Sequence, residues 1–317
     1  MEKNYVSKDS EFKLNVSEPL SQWGGLWREE KLDTFTKYVN AYLTIMNKQR
    51  NKYGWELIYF DGFAGSGSRC EEINNPSGLL LELFQGDRIN QDELNLYQGA
   101  AERVLSIEQP GFDYNYFIDN NSESTIKLQK KLVKFSSEKK KLIFRCSDAN
   151  EQVRKLADAL KKSQKLKALV LLDPFGMQVN WDSIKALANT STDLWILIPT
   201  GVIVNRLLDR KAELKHIEIL SSFFGLSEIE IRNYFYKKEI IQTLFGKEEI
   251  ISKVNQPIKK IAELYIKQLS KIFHHVTDKP LVLYNTRNTP IFHFAFASNN
   301  ATAKNIATQI INKRKIK

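Results

Sequence analysis

Glu56-Leu57-Ile58-Tyr59-Phe60-Asp61-Gly62-Phe63-Ala64-Gly65-Ser66-Gly67-Ser68 is the stretch that decides the fold. Its first part, Glu56–Phe60, is a short, nearly continuous apolar run, as expected of a strand buried on both faces. The rest turns on closely spaced glycines, which let a backbone bend tightly and approach a ligand. A strand that runs straight into such a loop opens a βα unit of the kind that holds a nucleotide-like cofactor, with Asp61 at the strand's carboxyl end. The spacing narrows the choice. A dinucleotide fingerprint would have a third glycine where Cys70 stands, and the next strand comes about 45 residues later rather than within a unit of ~30. No Gly-Lys-Ser/Thr follows, which excludes a P-loop. The alternative is a plain tight turn between a strand and a helix.

Working outward, six more segments read as strands: Tyr114–Ile118, Leu142–Cys146, Ala168–Leu172, Leu194–Ile198, Pro280–Asn285 and Ile291–Ala297. Helical patterns lie between the first five. Ser122 would cap a helix carrying Ile126, Leu132 and Val133; Val153, Leu156 and Leu160 step by three and four, and so do Trp181, Ile184 and Leu187. Alternation of this kind builds an open parallel sheet. The last two strands are joined by Thr286–Pro290, too short for a crossover, so they must pair antiparallel. An amphipathic helix through Leu32, Phe35, Val39, Leu43 and Met46 precedes the sheet, behind an arm containing Trp23 and Trp27. About 80 residues separate Thr200 from Pro280, and they read as all-helical: Ile217–Phe224, Ser227–Phe245 and Pro257–His274.

Strand ends carry the candidate chemistry. Leu171-Leu172-Asp173-Pro174-Phe175-Gly176 closes the fourth strand. In a doubly wound sheet the carboxyl ends of the first and fourth strands flank the switch point where ligands bind, so Asp61 and Asp173 should face one crevice. Pro174 would stiffen the turn, and Phe175 would offer a flat apolar face beside the carboxylate or tuck into the core. Asp119 could accept both ribose hydroxyls of a nucleoside and Asp148 an adenine amino group; either could instead cap the helix that follows.

The 317 residues carry 47 Lys and Arg against 37 acids, a formal charge of +10 and a pI near 9.3. Lysines cluster, with seven in Lys127–Lys141 and four in Lys161–Lys167, a surface that attracts polyanions unless these are simply solvated helix faces. Apolar runs such as Leu194–Ile198 are too short to span a membrane, which takes ~20 residues, and Met1–Glu11 shows no secretory signal. Cys70 and Cys146 cannot supply a disulfide scaffold or a four-cysteine metal site, and the four histidines have no ligand spacing, so a cytoplasmic protein without a metal is expected. A Gly-x-Ser-x-Gly nucleophile elbow is also absent from Gly65-Ser66-Gly67.

Taken together these residues resemble the class I S-adenosylmethionine-dependent methyltransferases. Phe63-Ala64-Gly65-Ser66-Gly67 looks like their first motif, Asp119 and Asp148 fall at the second and third, and Asp173-Pro174-Phe175-Gly176 at the fourth. The resemblance implies a Rossmann-like, seven-stranded, mostly parallel sheet ending in an antiparallel hairpin, with S-adenosylmethionine held by Asp61, Phe63, Ala64, Gly65, Gly67, Asp119 and Asp148. Asp173, Pro174 and Phe175 would be the catalytic group. The chain would divide into an N-terminal arm (1–30), the Rossmann-like domain (31–201 and 276–317) and a helical insertion (202–275) serving as lid or recognition subdomain.

More narrowly, Trp27, Lys31 and Leu32, Tyr59–Gly67, Leu172–Met177 with Trp181, and Asp193–Pro199 are similar to the three-Cys-motif partner (TcmP) family of bacteria. That implies a methyltransferase encoded beside a three-cysteine-motif protein; the glycine loop, strand-end acids and basic surface point to RNA or DNA as the acceptor, within a two-protein system such as anti-phage defence. Amino-methylating nucleic-acid enzymes carry Asn/Asp-Pro-Pro-Tyr/Phe at the fourth motif; here one proline is missing and the aromatic comes third. That departure motivates a second reading, a binding or scaffold subunit that keeps the fold; a third, a small-molecule methyltransferase, is weakened by the basic charge.

Overall fold

The computed structural model describes residues 26–67, 99–107, 110–138, 140–243 and 246–314. Trp23 and the rest of the arm before Leu26, Ser68, Cys70 and the end of the basic tail lie outside the described residues.

Strands β1 (Glu56–Asp61), β2 (Tyr114–Asp119), β3 (Lys141–Cys146), β4 (Leu166–Leu172) and β5 (Thr192–Ile198) run parallel in the order β3-β2-β1-β4-β5. The order of strand addition reverses between β1 and β4, which places a crevice at their carboxyl ends. β10 (Pro290–Ser298) then lies antiparallel against β5, and β9 (Leu281–Tyr284) pairs antiparallel with β10 as the short loop requires. A two-residue β8 (His275–Val276) also joins β10, so the expected seven strands become eight.

The apolar runs are continuous because alternate residues enter two cores. In β1, Ile58 and Phe60 face one core while Leu57 and Tyr59 face the other; in β5, Leu194, Ile196 and Ile198 are separated from Trp195 and Leu197 in the same way. The first core is closed by α4 (Ala149–Lys162) and α5 (Trp181–Ala186), the second by α1 (Leu26–Tyr53), α2 (Ala100–Leu105), α3 (Ser122–Leu132) and α9 (Ala301–Arg314). Phe35, Val39 and Leu43 of α1 are fully buried, where truncating an aromatic to alanine costs about 3–5 kcal/mol. In α3 the inward stripe is Thr125, Leu128 and Leu132; Ile126 and Val133, expected inside, are exposed, and the cap is Asn121 rather than Ser122. α1 begins at Leu26, so its first turn already belongs to what the sequence suggested as an arm. Among the described residues, no helix is long and apolar enough to cross a membrane.

The insertion departs from the all-helical expectation. After a π-helical turn (Thr200–Val204) come α6 (Ile217–Phe224) and α7 (Glu228–Phe235), the latter opened by a capping box between Ser227 and Glu230. Helix then gives way to a hairpin, β6 (Tyr236–Thr243) and β7 (Gly246–Lys253), which forms a separate two-stranded sheet before α8 (Pro257–Ile272) returns to the core. Ile231 and Phe235 complete the buried stripe of α7. Beyond them each strand has three charges followed by an isoleucine pair, Lys237–Ile241 and Lys247–Ile251, and the backbone groups find partners across the hairpin. Lys253 anchors the hairpin's base by donating to the carbonyls of Asn205 (2.8 Å) and Leu208.

Candidate functional site

Asp61 ends β1 and is 2% exposed. Tyr59 Oη donates to its Oδ2 (3.1 Å) and the Phe63 N–H to its Oδ1 (3.2 Å). The chain then crosses toward β2: the Ala64 N–H bonds the Ile118 carbonyl (2.9 Å) and the Gly65 N–H bonds Asp119 Oδ2 (3.1 Å). Gly65 and Gly67 have φ of 59° and 71°, left-handed values that explain glycine at both places. A Cβ on Gly67 would also stand 2.8 Å from Leu128 Cδ1. Lys131 Nζ closes the loop from α3 by donating to the Gly67 carbonyl (2.7 Å).

Asp173 follows β4 and is ion-paired with Lys31 of α1, whose side chain is only 8% exposed. Lys31 lies on the stripe of Phe35, Tyr38 and Tyr42, all buried, so α1 carries its ammonium into the protein. Trp27, one turn earlier, packs on Phe292 (4.9 Å between centroids), with Lys31 Nζ 5.6 Å from its ring centre.

Asp61 and Asp173 therefore face one cleft, together with Phe63, Ala64, Gly67 and Leu171, and the start of α1 forms the opposing wall through Arg28, Lys31 and Leu32. The electrostatics follow from this crowding. Burial, and next the Asp173 charge, push the Asp61 carboxyl up to about 7, against the opposing pull of the Phe63 N–H, Tyr59 and Lys31. Tyr59 is raised by burial and by Asp61. Asp119 is raised by burial, offset by the N–H groups of Asn121 and Gly65. The described walls enclose about 40 Å³, room for one or two water molecules.

The other expected site residues stand differently. Asp119 spends one oxygen on Gly65 and the other on the Asn121 N–H (2.7 Å), so it fastens the glycine loop to the end of β2. Asp148 is the N-cap of α4, its side chain accepting from the Glu151 N–H (2.9 Å), and it is exposed and apart from the cleft; the capping alternative is the one observed. Pro174 is buried, and Phe175 is half-buried against the α1 core instead of presenting a free face. Gly176 donates to Gln178 Oε1 (2.9 Å), which holds the turn. Among the described residues, no group of three or more His, Cys, Asp or Glu side chains comes together to hold a metal ion.

No protein-family model matches the chain, and no curated protein matches it. Among solved structures it is similar to the protein LPL1258 of Legionella pneumophila, of the family designated DUF519. Identity is 15% over 87% of this chain and 97% of that one, with a TM-score of 0.40. An rRNA methylase of Streptococcus thermophilus shows 10% identity over 63% of this chain and 88% of its own, with a TM-score of 0.27. Neither likeness is close enough to carry a function across. The fold, read from the strand order itself, is Rossmann-like with a methyltransferase-like arrangement.

Proposed function

We propose that this chain is an S-adenosylmethionine-dependent methyltransferase acting on nucleic acid. One observation carries the reading: the glycine loop and two carboxylates, Asp61 and Asp173, meet in a single cleft at the carboxyl ends of β1 and β4. The lining suits the cofactor's chemistry. Asp61 answers the charge of its ammonium, Arg28 its carboxylate, and Phe63, Ala64 and Leu171 its apolar surface, which leaves Asp173 for the acceptor. When bound, S-adenosylmethionine supplies an activated methyl group for in-line displacement, a reaction in which alignment provides much of the rate.

Asp61 would orient the amino-acid end. Asp119, holding the loop through Gly65, would keep lone pairs for the ribose. Asp173 would accept a hydrogen bond from the acceptor amine and take its proton, once Lys31 has left it. Arg28, Lys31 and Leu32 of α1 line the cleft, so the first turns of α1 would shift to admit either ligand. Tyr59–Gly67 and Leu172–Met177 support membership of the three-Cys-motif partner family, and with it a three-cysteine-motif protein as partner in a cytoplasmic, two-protein bacterial system such as anti-phage defence.

The Lys31–Asp173 pair itself favours a second reading, a scaffold subunit whose acid is permanently engaged. Incubating the purified chain with methyl-labelled S-adenosylmethionine and bacterial RNA or DNA decides between them. Label transferred to either polymer supports the enzyme. No transfer by the chain alone, with copurification of a neighbouring gene product, supports the scaffold.

A further inference from the structure

The end of the sheet opposite the cleft has the reverse character. Tyr53 ends α1 and Trp55 stands just ahead of β1; their rings stack 4.9 Å apart at 20°, and Tyr53 is 49% exposed. Lys52 Nζ sits 5.2 Å from the centre of the Tyr53 ring and Lys167 Nζ 5.1 Å from that of Trp55. One strand over, Tyr114 opens β2 and Lys141 opens β3; the two are register partners, with Lys141 Nζ 5.0 Å from the ring centre. Thus the starts of four adjacent strands, β3-β2-β1-β4, present Lys141, Tyr114, Trp55 and Lys167 along one edge. Beyond β4 the edge continues into an open groove of about 810 Å³, where Lys161, Lys185 and Lys271 converge from the last turns of α4, α5 and α8.

Helix dipoles account for lysines in last turns, but Lys141 and Lys167 lie on strands, where no such dipole acts. Several surface lysines elsewhere are neutralised, Lys127 by Glu123, Lys155 by Glu151 and Lys134 by Glu102. On this edge they lie against rings or, in the groove, against a lining with no carboxylate among the described residues. The edge's acids are Glu56, which accepts from Tyr114 Oη (3.5 Å), and Asp113, which is ion-paired with Arg50. One exposed ring, Tyr53, and two half-buried ones, Trp55 and Tyr114, interleaved with cations that lie on them match what a single strand offers: base faces and phosphates.

We propose that this edge binds single-stranded nucleic acid, with bases stacking on the Tyr53–Trp55 pair and phosphates drawing Lys52, Lys141, Lys167 and the groove lysines off the rings and out of solvent. The proposal rests on the nucleic-acid reading above for its polymer, and names where that polymer is held. Six residues of β1 put the edge about 20 Å from Asp61, so it would grip a flanking segment while the acceptor reaches the cleft.

The test is fluorescence anisotropy of the full chain, without cofactor, against a labelled single strand, with the matching duplex and anionic vesicles as competitors. Binding should favour the single strand and weaken linearly with the logarithm of salt concentration. Tyr53→Ala and Trp55→Ala should each weaken it about fivefold or more, Trp55→Phe should restore most of the loss, and Lys141→Glu with Lys167→Glu should cut the salt slope by about two. Circular dichroism of Tyr53→Ala, an exposed site, should match the wild type. Absence of single-strand binding at low salt, ring variants that bind as well as wild type, or competition by vesicles alone would overturn the proposal. Strand binding by a chain that takes no S-adenosylmethionine would refute the methyltransferase reading only; the converse would refute this one only.

Discussion

The two ends of the central sheet are built from the same strands and have opposite chemistry. At the carboxyl ends of β1 and β4 the polar groups are buried, few and interdependent: Asp61, Asp173, Lys31 and Tyr59 each alter the charge state of another. At the amino ends the charges are exposed, numerous and nearly independent, with rings between them. Burial explains the contrast. A charge in the cleft is costly unless paired, so one substitution should have a large effect there. At the opposite edge water screens each lysine, and only their sum should matter.

The largest effect is therefore expected at Asp173. Asp173→Asn keeps the shape but cannot accept a proton, and methyl transfer should fall about 10²–10⁴-fold with S-adenosylmethionine affinity little changed, as labelled-methyl assays and calorimetry would report. Equal turnover would place the acceptor elsewhere.

Next comes Asp61. The folded chain holds this proton more tightly than the unfolded chain does, so the stabilisation from its neutral form is complete below about pH 4, declines as pH rises and levels off above about 7. Asp61→Asn removes that dependence. Melting curves at pH 5 and 8 should show the variant gaining on wild type at pH 8, by at most on the order of 2–3 kcal/mol. A parallel pH dependence in both proteins would mean that Asp61 ionises normally.

Gly67→Ala tests the loop that Asp61 and Asp119 hold. Left-handed backbone and the approach to Leu128 together should destabilise by about 2 kcal/mol, measured by denaturant midpoint. A neutral result would show that the loop relaxes freely.

The smallest effect belongs to the opposite edge. Glu56→Gln removes the carboxylate that Tyr114 Oη donates to and should raise single-strand affinity about twofold, read by anisotropy. A change as large as those in the cleft would break the contrast between the two ends.

Much of this was legible in the sequence where one side chain or one period decides the outcome. Continuous runs such as Ala168–Leu172 can only be strands buried on both faces, and Thr286–Pro290 is too short for anything but a hairpin. The convergence of Asp61 and Asp173 follows from strand order, which local periodicity supplied. What escaped depends on contacts between distant segments. Lys31 and Asp173 are 142 positions apart, and the clue, a lysine in register with the buried stripe of α1, shows a buried charge without showing its partner. Ile240 and Ile250 suit a helix or a strand equally, and their hairpin forms because each strand supplies the other's hydrogen bonds. Asp148 could cap or bind by its position alone; the Glu151 N–H decided it. The ring-and-lysine edge was also out of reach, since Trp55, Tyr114, Lys141 and Lys167 belong to four different segments.

The central claim, that the glycine-loop cleft receives S-adenosylmethionine, is tested most directly by calorimetric titration of the purified chain with S-adenosylmethionine and S-adenosylhomocysteine, beside Gly65→Arg. Saturable one-to-one binding of both, lost when arginine fills the turn above Asp119, is the predicted result. No heat from either ligand, or binding that Gly65→Arg leaves intact, would contradict it.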